Sequence, residues 1–220
     1  MGRPYRITDD AGNENYFVTL NHIDIAGLTV KVTDAIPRDM THHVYDMTGQ
    51  LCYTLNIDSG RRWMVVNALD KPVHTWDNLL RKTTTQYDVL NRPVATLLYN
   101  NSTTALKVES ITYGSSATGY TIGRPITVRD QSGKLDFTEY DFKGNLLSST
   151  RRLCTDYNII IDWYTYTDPT GESFDTAFTF DAVNRPVTEV TPDGKVRTYE
   201  YNKAGCLKEY CLMGLNMLPV

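Results

Sequence analysis

The chain repeats itself every 10 or 11 residues, which leaves room in each unit for one short strand and one turn. Tyr45-Asp46-Met47-Thr48-Gly49-Gln50-Leu51 is followed 21 residues on by Val66-Asn67-Ala68-Leu69-Asp70-Lys71-Pro72-Val73. A further 21 residues bring Tyr87-Asp88-Val89-Leu90-Asn91-Arg92-Pro93-Val94. Half-repeats at Asn56 and at Trp76-Asp77 fall between them. The pattern returns at Arg129-Asp130, Tyr140-Asp141-Phe142-Lys143-Gly144-Asn145-Leu146, Phe180-Asp181-Ala182-Val183-Asn184-Arg185-Pro186, Val190 and Tyr201.

Each unit has a simple physical reading. An aromatic or β-branched residue closes a strand, and Asp or Asn follows to bond the backbone of the turn. Gly or Asn comes next, because both tolerate a positive φ. An apolar residue then opens the following strand. The expected fold is all-β: tandem antiparallel hairpins with strands of about 5 to 7 residues, joined into a long curved sheet. The 15 tyrosines suit a pleated, half-buried surface. Helical periodicity is absent.

Two polar stretches, near 99–120 and 165–177, read as longer loops inserted between repeats. Between them, Tyr157-Asn158-Ile159-Ile160-Ile161-Asp162-Trp163-Tyr164 reads as an apolar strand, with Ile159, Ile161 and Trp163 on one face. The expected organisation is therefore atypical strands or degenerate repeats over 1–40, a repeat sheet over 41–207 and a non-repeat tail over 208–220.

Charge and composition exclude several functions. The net charge of −4 offers no basic face for nucleic acid. No apolar run is long enough to span a membrane, and Met1-Gly2-Arg3-Pro4 does not begin a signal peptide. Cys52, Cys154, Cys206 and Cys211 fit neither a zinc site nor a disulfide framework. His42 and His43 are neighbours on a strand and point to opposite faces, so no metal is expected there. No Gly-x-Ser-x-Gly string marks a nucleophile. Asp46, Asp88, Asp141 and Asp181 recur at the same place in every repeat, as turn-capping requires, whereas catalysis needs one special pair. The expectation is a non-catalytic protein with no cofactor and no metal. Rows of Tyr, Trp and Phe leave one alternative, a carbohydrate-binding or adhesin module at a cell surface. Packing against neighbouring strands explains the same rows.

The ordered set of strings resembles the Tyr-Asp repeats of Rhs proteins. It is most similar to the repeat region of the B-type subunits of insecticidal toxin complexes. The strings are Arg61-Arg62-Trp63, Tyr87-Asp88-Val89-Leu90-Asn91-Arg92-Pro93, Gly123-Arg124-Pro125, Glu139-Tyr140-Asp141-Phe142-Lys143-Gly144-Asn145-Leu146-Leu147 and Phe180-Asp181-Ala182-Val183-Asn184-Arg185-Pro186. The motif positions are Tyr45, Asp46, Gly49, Tyr87, Asp88, Asn91, Arg92, Pro93, Tyr140, Asp141, Gly144, Asn145, Phe180, Asp181, Asn184, Arg185 and Pro186. The resemblance implies a structural segment of a shell that encapsulates a toxic polypeptide during virulence. Its partners would be other repeats of the same or a companion shell subunit and the enclosed toxin. The family context is secreted or cell-surface, although this chain without a signal peptide is cytoplasmic at synthesis. The segment lacks the propeller, the self-cleaving core and the toxin tail of that family. Asp168-Pro169-Thr170-Gly171 resembles part of the core, but in its context it reads as a turn.

The far-UV circular dichroism spectrum is expected to be of β type with negligible helical signal; a helix-dominated spectrum would contradict the repeat reading.

Overall fold

The computed structural model describes residues 4–13, 15–116 and 118–213. Among the described residues there are seventeen strands of five to eight residues, a single 3-10 turn at Thr118–Tyr120 and no α-helix. The all-β, antiparallel architecture expected from the repeat is the one observed. The chain divides into two compact units, one of Met1–Gln86 with Leu97–Ala105 and one of Tyr87–Thr96 with Leu106–Val220.

The first unit contains β1 (Arg6–Asp10), β2 (Tyr16–Ile23), β3 (Thr29–Thr33), β4 (Asp39–Tyr45), β5 (Leu51–Asn56), β6 (Gly60–Val66), β7 (Pro72–Trp76) and β8 (Lys82–Tyr87), whose last residue belongs to the second unit. Each of these strands pairs antiparallel with the next. Strand β9 (Pro93–Tyr99) contributes its first residues to the second unit and its last to the first. The second unit contains β10 (Leu106–Tyr113), β11 (Pro125–Asp130), β12 (Gly133–Tyr140), β13 (Leu146–Leu153), β14 (Ser173–Phe180), β15 (Pro186–Val190), β16 (Val196–Tyr201) and β17 (Leu207–Met213). These strands also pair in sequence order. A serial meander sorts the turns. Those after even-numbered strands lie on one rim of a unit and follow the Tyr-Asp positions. Those after odd-numbered strands lie on the opposite rim.

The turns of the Tyr-Asp rim share one geometry. The N–H of Asp46 donates to the Gln50 carbonyl and the N–H of Gly49 to the Asp46 carbonyl, and the same two bonds recur from Asp88, Asp141, Asp181 and Asn202. This is a three-residue loop built on a type I turn, whose fourth position is left-handed. Gly49, Asn91, Gly144 and Asn184 hold that position, with φ between 58° and 102°. The extra residue shifts the register beside the strand-closing residue, as between Val44 and Tyr45 and between Glu139 and Tyr140. The aromatic is thereby re-aimed along the rim.

Three expectations need correction. The polar stretch near 99–120 is not one loop, because β10 runs through it. The apolar run 157–164 is not a strand, and the long loop lies at 154–172 rather than 165–177, since Ser173–Phe180 is β14. The run escapes the ladder because side chains satisfy its backbone instead. The Gln131 side chain accepts the Ile161 N–H at 2.8 Å and donates to the Ile161 carbonyl at 2.9 Å. The expected tail also begins with strand residues up to Met213, in β17, while 214–220 lie outside the described residues.

Few side chains are deeply buried: among the described residues, only Ala95, Leu97, Tyr140, Ile161 and Trp163. Ile161 is fully enclosed. Loop 154–172 is thus a strap that supplies the second unit with the hydrophobic cover its sheet lacks. Ile161→Ala is expected to cost about 2–4 kcal/mol, the range for a methyl-rich side chain removed from an enclosed site. Chemical denaturation measures the loss, and hydrogen exchange should show amides of the strap opening first.

Candidate functional site

The rim of Tyr-Asp turns is the most highly organised polar array in the molecule. A side-chain oxygen closes each of these turns, a carboxylate at Asp46, Asp88, Asp141 and Asp181 and an amide at Asn67 and Asn202. Asp46 Oδ1 accepts the N–H groups of Thr48 at 2.8 Å and Gln50 at 2.9 Å. Asp88 Oδ1 does the same for Leu90 and Arg92, and Asp181 Oδ1 for Val183 and Arg185, all at 2.9 Å. Asp141 Oδ1 accepts three, from Lys143, Gly144 and Asn145. The second oxygen takes a side chain, Arg92 Nε at 2.8 Å on Asp88 and Arg185 Nε at 2.7 Å on Asp181. At Asp141 that partner is Asn145 Nδ2, at 2.7 Å. Donors on both oxygens of Asp88, Asp141 and Asp181, and on Oδ1 of Asp46, hold these carboxyls below the usual carboxylate range. At Asp88 and Asp181 the foremost cause is the backbone N–H of the arginine four residues on.

Successive turns are then linked to one another. In the first unit the Tyr45 hydroxyl donates to the carbonyl of Thr29, which opens the preceding strand, at 2.9 Å. In the second unit Tyr113 donates to Pro93, Tyr140 to Pro125 and Tyr201 to Pro186, at 3.0, 2.7 and 2.8 Å. Each proline follows an arginine, and that arginine lies over the same tyrosine ring. Arg92 sits 4.1 Å from the Tyr113 centroid, Arg124 5.3 Å from Tyr140 and Arg185 4.3 Å from Tyr201. The Arg-Pro dipeptide is therefore a socket: the guanidinium covers the ring face and the proline carbonyl takes the phenol. Gly144 suits its φ of 102°, and a side chain there would have to displace the Arg124 guanidinium. Among the named motif positions, Phe180 closes β14 without a hydroxyl and stacks beside Phe178, and Tyr87 closes β8. Tyr113, Arg124 and Tyr201 complete sockets without standing among the motif positions. Their signal was an aromatic closing a strand 15 to 20 residues after an Arg-Pro or its equivalent.

The opposite rim of the second unit carries the strap. Trp163 Nε1 donates to the Asp130 carbonyl at 3.1 Å, and the Trp163 N–H to the Lys107 carbonyl at 2.9 Å. Asp162 Oδ1 accepts the Lys107 N–H at 2.9 Å. Asp168 does not cap a turn of its own. Its carboxylate takes both Arg129 Nε and Nη2, at 2.7 and 2.9 Å, and Lys134 Nζ at 3.1 Å. The Arg129 pair holds the Asp168 pKa down to about 2.

In the first unit the residues Tyr53, Trp63, Trp76 and Lys82 stand directly across from one another on β5 to β8. The Tyr53 and Trp63 rings lie 5.5 Å apart, and the Lys82 ammonium lies between the rings of Trp76 and Tyr99. Residues of these strands border an open cleft of about 720 Å³. His42 and His43 stay apart: His43 meets Thr54, and no group of three or more metal-ligating side chains occurs among the described residues.

No protein-family model matches the chain, and no curated protein matches it in sequence. Its fold is that of chains from toxin complexes. Against a crystal structure of TcdB2-TccC3-TEV the TM-score is 0.80 at 20% identity, covering 96% of this chain and 11% of that one. Against TcdB2-TccC3 the TM-score is 0.79, with the same identity and coverage. Against a Photorhabdus luminescens Tc holotoxin pore it is 0.77, with 94% of this chain and 11% of that one covered. The chain thus spans about a tenth of the length of the solved chains it matches.

Two substitutions test the site. Tyr140→Phe removes from a buried ring the hydroxyl that donates to the Pro125 carbonyl, and should lower stability by about 0.5–1.5 kcal/mol in urea denaturation. Asp168→Asn tests the strap. The folded-state pKa of Asp168 is depressed, so its contribution is fully present above its unfolded value of about 4 and is lost as pH falls through about 2. The group is part-exposed, so at neutral pH the variant should lose only about 1 kcal/mol. Its denaturation midpoint should also fall less steeply between pH 4 and 2 than that of the wild type.

Proposed function

We propose that the chain is a non-catalytic wall segment of a toxin-encapsulating shell of the Rhs type. The observation that carries this reading is the stitched rim. The recurring features of the repeat hold one hairpin to the next, through turns closed by side-chain oxygens and tyrosines seated on the carbonyl that opens the preceding strand. A continuous wall needs hairpin-to-hairpin bonds that recur without limit along the sheet, and the rim supplies them. The likeness in fold to TcdB2-TccC3 chains supports the same reading. Its partners are the neighbouring repeats of the same or a companion shell subunit, together with an enclosed polypeptide. The shell would act outside the producing cell, after synthesis in its cytoplasm.

The carbohydrate-binding alternative draws on the aromatic row beside the cleft of the first unit. Trp163 cannot serve it, because that ring is enclosed in the strap and hydrogen-bonded there. Trp76 remains its test: a specific glycan-array signal abolished by Trp76→Ala in a folded protein would favour it over the shell.

The shell reading is tested on the full-length product of the gene that encodes this segment. Negative-stain electron microscopy should show hollow particles, and any enclosed segment should resist added protease until the particle is opened by denaturant. Solid particles, or extended filaments with every segment open to protease, would overturn it.

A further inference from the structure

Along the Tyr-Asp rim the fourth residue of each turn is left-handed and the fifth closes the loop. The fifth residue of one turn meets the fourth of the next. Among the described residues six such meetings lie within a single unit, and they are of two kinds. In four of them a large side chain lies against a glycine. Leu28 lies beside Gly49, where a Cβ would come within 3.6 Å of it, and Arg92 and Arg185 lie beside Gly123 and Gly205, with Nη1 at 3.7 and 3.4 Å from the same point. At Gly144 a Cβ would have to displace the Arg124 guanidinium. Gly123 belongs to an expanded turn that Gly114 and Arg124 close with the same two backbone bonds. Two of the arginines also donate into the following turn, Arg92 Nη1 to the Gly123 carbonyl at 3.2 Å and Arg124 Nη1 to the Asp141 carbonyl at 3.3 Å. In the other two meetings an amide finds a side-chain oxygen. Gln50 Nε2 donates to Asp70 Oδ1, and Asn145 Nδ2 donates to Asn184 Oδ1 at 3.0 Å.

The two kinds go with different strand-closing residues. Where the next turn offers a glycine, the strand leading into it ends in Tyr45, Tyr113, Tyr140 or Tyr201, whose hydroxyl bridges to the carbonyl that opens the preceding strand. Where it offers Asp70 or Asn184, that strand ends in Val66 or Phe180, which carry no hydroxyl. Each kind is consistent within itself. A glycine leaves room for the side chain that covers it but has nothing to bond with, so the bridge comes from the phenol. A strand that closes without a hydroxyl leaves the bridge to the turns, and a side-chain oxygen at the fourth position supplies it. A mixed pair would set a side chain under a guanidinium or leave an amide facing a glycine. We infer that the fifth residue of one rim turn and the fourth residue of the next are a matched pair, and that this match decides which hairpin can follow which along the sheet. Acceptance of the matched neighbour and rejection of the other together make the discrimination. This rests on the reading of the chain as a run of wall repeats and names what one hairpin recognises in its neighbour.

The test is a set of double-mutant cycles in the 220-residue chain, read as the unfolding constant in urea. Gly144→Asn alone sets a side chain against Arg124, and Arg124→Asn alone takes the guanidinium off the Tyr140 ring. Together they recreate the kind of pair that Asn145 makes with Asn184. The double variant should therefore raise the unfolding constant about tenfold less than the product of the two single effects, a coupling ordinary for residues in contact. Asn145→Arg and Asn184→Gly make the reverse conversion, with the same coupling expected, and they decide the matter if an Arg124 or Gly144 variant does not fold. Arg124→Asn combined with Asn184→Gly joins turns that do not follow one another, and there the effects should multiply to within about twofold. Effects that simply multiply in a matched cycle whose variants fold, or an equal coupling in the crossed one, would overturn the inference. The wall reading has its own readout in the hollow particles of the full-length product, and it would stand in either case.

Discussion

A side-chain oxygen that accepts the backbone N–H groups of its own loop is what allows this chain to reverse direction every ten or eleven residues. Without it, each three-residue turn would leave loop donors to compete for water, and the left-handed fourth position would have nothing to hold it in place. The bond is local and repeats with the sequence. It does not depend on a large hydrophobic core, and among the described residues only five side chains are deeply buried. The fold is therefore built from the turns inward.

The tyrosine sockets convert those local turns into a sheet with directional order. At Tyr45, Tyr113, Tyr140 and Tyr201 a phenol donating to the carbonyl that opens the previous strand ties one hairpin to the one before it. Proline suits the socket because its carbonyl is free to accept while its missing N–H falls at the first residue of a strand. Arginine suits it because a planar guanidinium can lie on a ring while its Nε remains bonded to the turn carboxylate. Burial pushes the Tyr140 phenol up from its ordinary value, so that hydroxyl stays a donor across the physiological range. Stability of this kind is additive along the chain, as in other repeat arrays, and it suits a wall better than a pocket.

The strap departs from this economy. It places two large side chains, Ile161 and Trp163, where a single-layer sheet would otherwise be open, and fixes them with the Gln131 amide, the Asp162 carboxylate and the Arg129–Asp168 pair. These partners lie 30 to 55 residues away in sequence. The strap owes its conformation to these long-range contacts.

By itself the sequence determined the strand class, the positions of the turns and the carboxylates that close them, because period, turn chemistry and strand propensity are all properties of about ten consecutive residues. Tyr45-Asp46 to Gly49 and Tyr140-Asp141 to Asn145 could be read as turns without knowing what surrounds them. The partner of each tyrosine was not legible. Arg185-Pro186 and Tyr201 meet only because an antiparallel pair brings the end of β16 beside the start of β15. The run from Tyr157 to Tyr164 shows the same limit more sharply. Its propensity favours a strand, yet its backbone donors and acceptors find Gln131, Asp162 and Lys107 instead of a neighbouring strand. Only the tertiary structure could decide between those partners, since a hydrogen bond is chosen by what is within reach, and reach is a property of the folded chain.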